Sequence, residues 1–358
     1  MMLGVSDPEL YYRQQNLLQK MAKERKEATK KLPGLVRRLN VQGVNRALAA
    51  GAKPTETMLL HAIQYQQVAM VDKFLRAGVR PNDEPHDHFW WAVVQTVDKR
   101  SRAQRQKRVA EARRIVEMLV SAGANPLNGL RTCVGYDDVD FARHLIALYL
   151  RRKNANNANN ATKSAIAQAL NNSWPRVKSV KMARFMIEHG ADVNYRDIHR
   201  YGNKEHSLFS AICNYTLMKY LIDQGANVTL KSDKGETVLH KQIDWGCSFC
   251  PATLRIVSLL IRHGVDVNAR GIRGESALSI AVIYYRLTAK KEMSNHVNLE
   301  DSLNRTYSII ELLLRSGAEV DRISMSRIED GLNNPHNNVY KQRVLRLKQL
   351  LVSYKNRN

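Results

Sequence analysis

The sequence is short of cysteine, aromatic rings, acid and long apolar runs, and each shortage removes a class of protein. Four cysteines, at 133, 213, 247 and 250 of 358 residues, are too few and too scattered for a disulfide scaffold. They suit a reducing, cytoplasmic compartment. No apolar stretch approaches the roughly 18 residues of a membrane-spanning helix; Leu145–Leu150 is closed by Arg151 and Arg152. Met1–Glu9 lacks the basic-then-apolar order of a secretory signal. Aromatics are 7%, so aliphatic helix packing is expected to carry most of the burial. Acidic residues number 33 against 56 Lys and Arg, a net charge of +23. That balance favours nucleic acid, anionic surfaces or acidic proteins as partners, without choosing among them.

Catalytic signatures are missing as well. The chain has no Walker-type glycine loop, no Gly-x-Ser-x-Gly elbow and no His-Glu-x-x-His. Its carboxylates show no paired spacing suited to acid–base work. The expectation is a non-catalytic protein without cofactor or metal. Hydrophobic residues at 44% and charged residues at 25% fit an ordered core. The length allows about two globular domains or one extended one.

What is present is a repeat. An aliphatic stripe with helical spacing ends in glycine again and again: Val71–Gly78, Ile115–Gly123, Ala183–Gly190, Met218–Gly225, Ile256–Gly264 and Ile309–Gly317, with a weaker copy at Val44–Gly51. Apolar residues three and four apart make one face of a helix, and each glycine suits the left-handed position that ends one. Steps of 35 and 39 residues between glycines sit near a 33-residue unit, and the 67 between Gly123 and Gly190 is nearly two units. A degenerate copy is therefore predicted in that interval, with Val139–Leu148 as its second helix.

The inner halves carry Gly235-Glu-Thr-Val-Leu-His240 and Gly274-Glu-Ser-Ala-Leu-Ser-Ile-Ala281, with weaker versions at Thr57–Ala62 and His206–Ala211. In these motifs the chain resembles the ankyrin repeat family over roughly residues 32 to 320, clearly from about 180 onward. The resemblance implies an all-α solenoid of stacked helix-turn-helix units with short hairpin loops. It divides the chain into a capping helix over 1–31, an array of seven to eight units over 32–320 whose units before 180 are degenerate, and a capping repeat over 321–358. Pro8–Lys31 reads as a charged helix stopped before Pro33-Gly34, and Asn338–Leu351 as a basic amphipathic helix covering the last open face. Asp98–Arg108, Asn154–Ala161 and Tyr284–Thr306 depart from the unit as insertions.

Ligand-like spacings read as structure. Cys247-Ser-Phe-Cys250 has no second pair to complete a zinc site and reads as filler in an inter-helix loop. Asp83–His88 reads as a helix start, with Asp87 at the N-cap. His240 takes the family position where the ring ties loops together, and His189 and His263 sit at helix ends that favour a cation.

The resemblance further implies that hairpin tips and the exposed side of the inner helices recognise a partner. Carried over by register, that surface is Arg196, His199, Arg200 and Tyr201 in the copy after Gly190. The next copy contributes Lys231, Asp233, Lys234, Glu236, Asp244 and Trp245, and the copy after Gly264 contributes Arg270, Ile272, Arg273, Glu275 and Tyr284. Arg, Tyr and Trp are enriched among the residues that dominate interfaces, and Trp245 is the sharpest single candidate. The expected function is a monomeric interaction module gripping a protein with an acidic surface. By family habit it would be an adaptor, or an effector or inhibitor acting on a host or defence protein. The alternative is a basic solenoid binding nucleic acid or an anionic membrane along its back. Charge favours that alternative at residues 1–50 (ten basic, four acidic), 151–200 (ten, three) and 301–358 (ten, six).

Overall fold

The computed structural model describes residues 8–81, 91–92, 102–153, 159–198, 204–290, 299–333 and 337–356. It divides into two compact units, Met1–Ala169 and Leu170–Asn358. The described residues are overwhelmingly helical.

The first unit holds α1 (Pro8–Arg37), α2 (Val41–Ala49), α3 (Glu56–Gln64), α4 (Val68–Arg76), α5 (Arg102–Ser121), α6 (Leu130–Tyr136) and α7 (Val139–Arg152). The division falls within α8 (Asn160–Asn171). Leu59, Ile63, Met70, Phe74, Ile115, Leu119, Leu130 and Leu145 are fully buried in this unit. They are the aliphatic stripes of the repeat together with few rings, as the composition predicts. The degenerate copy is present: α7 covers the predicted second helix, and Asp138 caps it by accepting the Phe141 amide at 3.0 Å.

The second unit holds α9 (Val180–Glu188), α10 (Ser207–Ser210), α11 (Tyr215–Asp223), α12 (Val238–Phe249), α13 (Thr253–Arg262), α14 (Ala277–Lys290), α15 (Leu299–Arg315), α16 (Arg322–Asn333) and α17 (Asn338–Lys355). Inner helices α10, α12, α14 and α16 pack side by side in one row, and outer helices α9, α11, α13, α15 and α17 in a second. Between pairs the chain runs out into short hairpins, marked by the ladder of Asp197–Ile198 with Lys204–Glu205 and by the bridges Lys231 to Thr237 and Arg270 to Ser276. Helix pairs joined by hairpins are the ankyrin-repeat architecture that the motifs predict.

The glycines that close the stripes act as expected, all seven having φ between 82° and 110°. Four of the turns inside pairs are different. Leu39, Gln66, Asp137 and Cys213 take left-handed φ values of 51° to 63° without being glycine, which costs about 1 kcal/mol or more at such positions.

Three local expectations are corrected. Helix α1 does not stop at Lys31: it continues through Pro33 to Arg37, because Leu32 and Val36 are buried beneath it and outweigh the hydrogen bond that proline removes. Cys247 lies inside α12 rather than in a loop, since Gly246 does not end that helix. The segment read as an insertion over Tyr284–Thr306 is largely the end of α14 and the start of α15. Asp83–His88 and His199–Tyr201 lie outside the described residues, as does the side chain of Cys247.

Candidate functional site

The inner helices of the second unit start on motifs whose side chains fix the hairpins. At α12 the Thr237 amide donates to Nδ1 of His240 at 3.2 Å, and the Thr237 hydroxyl lies 3.0 Å from the same atom. Nδ1 is therefore the acceptor, leaving the ring proton on Nε2, toward the backbone of Glu275 and Ala269 in the next repeat. Burial pushes His240 below its ordinary pKa, against the raising effect of those carbonyls. One repeat on, serine does the same work: the Ser276 amide donates to the Ser279 hydroxyl at 2.9 Å, and the Ser279 amide to Ser276 Oγ at 3.1 Å. His240 fixes the start of its own helix through Thr237, while its buried Nε2 has no hydrogen-bond partner among the described residues and so does not tie the next loop by a hydrogen bond.

On this base two hairpin tips are built alike. Ser232 N donates to Glu236 O at 2.8 Å, and Gly271 N to Glu275 O at 2.9 Å. The tips are also tied to each other, the Ile272 amide donating to the Lys234 carbonyl at 2.7 Å. Gly235, with φ at 70°, makes the approach feasible, because a Cβ there would lie 3.0 Å from the Arg270 carbonyl oxygen.

The predicted residues separate into two groups on this scaffold. Several hold the structure. Arg270 donates to the Gly274 carbonyl at 3.1 Å and to Asp321 at 2.9 Å, and Asp321 is nearly buried. Burial alone would raise the Asp321 carboxyl, but hydrogen bonds from Ser324, Ser276 and Arg270 hold it below its usual range. Glu236 pairs with Lys241 at 2.9 Å, both largely sheltered. Tyr284 donates its hydroxyl to Asp244 at 2.9 Å, from α14 to α12. Arg196 reaches the Lys231 carbonyl at 3.3 Å. Glu275 is half-buried.

The remainder stay open. Trp245 is 66% exposed and Ile272 is 75% exposed. Lys231, Lys234 and Arg273 are exposed and make no ion pair among the described residues. Asp233 is exposed beside them.

One apolar position escaped the sequence reading. Leu287, on α14, is 50% exposed. It stands three residues after Tyr284 and shares its face. Repeat register could have found it: Trp245 and Tyr284 are both eight residues after their capping Thr237 and Ser276, and Leu287 is the next turn of that stripe. Trp245, Leu287 and the tip residue Ile272 thus expose apolar surface on two neighbouring repeats, with Lys231, Lys234 and Arg273, unpaired among the described residues, at the hairpin end.

Elsewhere the chemistry is quieter. In the first unit a cleft of about 480 Å³ is lined by Glu117, Val120, Ser121, Gly123, Leu148, Arg151 and Arg152. Arg152 is committed to the Gly123 and Ala124 carbonyls at 3.0 and 2.7 Å, and the Ser121 hydroxyl to Glu117 O at 2.8 Å. Among the described residues no three His, Cys, Asp or Glu side chains gather as a metal site, and no helix is long and apolar enough to cross a membrane.

No protein-family model matches the chain, and no curated protein does. Among solved structures it is similar to the ankyrin repeat domain of Bcl-3, described as a unique member of the IkappaB protein family. The two share 17% identity, with a TM-score of 0.39, over 69% of this chain and 97% of that one.

Proposed function

We propose that this ankyrin-repeat chain is a non-catalytic interaction module whose second unit grips a partner protein between the hairpin tips at 231–236 and 270–275 and the inner face of α12 and α14. The observation that carries the reading is the exposure of Trp245, Ile272 and Leu287 on adjacent repeats. Large apolar side chains gathered on one rigid face mark interaction surfaces more than solvated ones. The partner's surface is acidic, because the carboxylates Glu236 and Asp244 are already engaged while Lys231, Lys234 and Arg273, which outnumber the exposed Asp233 beside them, make no ion pair among the described residues. In this reading the protein works as a cytoplasmic monomer. Adaptors use such a grip, as do effectors or inhibitors that block a host or defence protein.

A second reading has its own observation. On the outer helices Arg255 lies over the Tyr215 ring at 4.3 Å and Arg184 over Tyr220 at 5.9 Å, so cations and aromatics alternate across α9, α11 and α13. Alternation of that kind suits a nucleic-acid strand.

The test is affinity capture from lysate with the wild-type chain and the Trp245→Ala/Arg273→Glu variant, half of each sample treated with nuclease. A discrete protein that resists nuclease and disappears with the variant supports the grip. Capture unchanged by the variant and abolished by nuclease moves the function to the outer helices.

A further inference from the structure

Helix α1 is 30 residues long, yet among the described residues it has protein beneath it only from about Arg25 onward. A heptad-like stripe of Leu18, Met21, Arg25, Ala28, Leu32 and Leu35, with alternating steps of three and four, runs along one face. From Arg25 onward this stripe is used. Arg25 lays its alkyl stem 3.5 Å from where a Cβ on Gly51 would stand, and Leu35 abuts Gly43. Leu32 and Val36 are fully or almost fully buried. Toward the start of the helix the stripe continues without a partner. Leu17, Leu18 and Met21 are each more than half exposed.

The rest of that helix surface is strongly cationic. Residues 9–31 contain seven Lys and Arg against three Glu. Two of the three carboxylates are answered within the helix, Glu9 by Arg13 and Glu27 by Lys31. We propose that α1 lies along an anionic lipid bilayer surface, burying Leu17, Leu18 and Met21 at the acyl boundary with Lys20 and Lys23 among the headgroups. A helix with a short apolar face, a lysine-rich polar face and low net hydrophobicity is the interfacial type. Lysines flanking the stripe can keep their ammonium groups in water while their stems cover apolar surface. The competing occupant, α1 of a second copy, is disfavoured by charge: seven minus three gives +4 on each helix over 9–31, and two would repel. Contact with a bilayer also accounts for an apolar stripe that outlasts its protein support by two turns.

The test is co-sedimentation of the full chain with vesicles of phosphatidylcholine alone or mixed with phosphatidylserine. The variants are Leu18→Gln/Met21→Gln and Lys20→Gln/Lys23→Gln; all four side chains are exposed, so the fold should be untouched, which circular dichroism verifies. Wild type should pellet with the phosphatidylserine vesicles only. The apolar variant should lose at least tenfold in affinity, and the charge variant about fivefold for each lysine removed. Equal binding by the apolar variant would overturn the proposal, because the +23 charge alone would then suffice. Absence of binding to either vesicle would overturn it too. So would a dimer in sedimentation equilibrium that Leu18→Gln/Met21→Gln dissolves, which would give the stripe to a second copy.

Discussion

Replacing Asn268 by alanine removes one rung of a ladder that stitches successive repeats. Asn268 donates Nδ2–H to the Gly317 carbonyl at 2.9 Å and accepts the Glu319 amide on Oδ1 at 2.8 Å. Asn194 does the same two registers earlier, at 3.0 Å to Gly225 O and 2.7 Å from Asn227 N. Each rung satisfies a carbonyl that a helix end leaves without an internal partner. Two neutral hydrogen bonds at about 1 kcal/mol each give an upper value near 2 kcal/mol. Both asparagines are half-exposed, and water can replace part of what is lost, so about 1–2 kcal/mol is expected. Thr229 occupies the same place, four residues after its glycine, and instead bonds its own loop at Asn227. Thr229→Asn should therefore add a missing rung and stabilise by up to about 1 kcal/mol. Repeat arrays need not unfold as one unit, so native-state hydrogen exchange is the assay, read at 225–229, 264–268 and 317–321. Asn194→Ala and Asn268→Ala should add within about 0.5 kcal/mol, because the sites are separate. A loss under about 0.3 kcal/mol for Asn268→Ala would refute the ladder, since surface substitutions with no specific role commonly fall within that range.

Three further outcomes are expected. Cys213→Gly should stabilise by about 1 kcal/mol, read as a higher urea midpoint, because Cys213 holds φ at 63° on an exposed turn and glycine carries no such strain. His206 is buried and pushed down to about 4, chiefly by burial. The unfolded chain takes up that proton first, so stability is complete above pH about 6.5 and is lost as pH falls toward 4, by about 3 kcal/mol in all; His206→Asn should flatten that slope in acid titrations followed by circular dichroism. Arg270→Met should lower stability by about 1–3 kcal/mol in the same urea series while leaving partner capture intact, because its guanidinium serves Asp321 rather than solvent.

How far the fold could be read follows from where glycine was used. Helix ends were legible because Gly190, Gly225, Gly264 and Gly317 mark them with the one residue free to turn left-handed there. The turns inside the pairs were not, because Leu39, Gln66, Asp137 and Cys213 take the same conformation with side chains that predict nothing of the kind. At Cys213 a tertiary contact contributes, its amide being held by Gln242 at 3.0 Å from the next inner helix, while the Leu39, Gln66 and Asp137 amides bond the carbonyls three residues back. The true length of α1 was hidden by Pro33, a residue that ends most helices and here sits between the buried Leu32 and Val36. Arg270, Glu236 and Tyr284 were legible as surface positions by register, but register says nothing about pairing. Asp321 and Asp244 lie in neighbouring repeats and emerge only on stacking, and Lys241, five residues past Glu236, meets it only once the hairpin turns into α12.

That pairing sharpens what the second unit can recognise. Before stacking, residues 201–250 carry five basic and five acidic side chains and appear neutral. Folding pairs Lys241 with Glu236 inside one repeat, which cancels one charge of each sign, and stacking brings the Tyr284 hydroxyl onto Asp244, which occupies that carboxylate without cancelling its charge. Lys231 and Lys234 keep their full charge, Arg273 joins them from the next tip, and the tip-to-tip bond from Ile272 to Lys234 holds all three at a fixed spacing. A surface that is balanced in composition becomes cationic where it is exposed, beside Trp245 and Ile272. An acidic partner is then selected by the cations the fold leaves exposed, so reversing Lys234 and Arg273 together to Glu should abolish capture while Lys241→Gln leaves it standing. If Lys241→Gln weakened capture as much as the double reversal, bulk charge rather than pairing would govern recognition, and this account of the surface would fail.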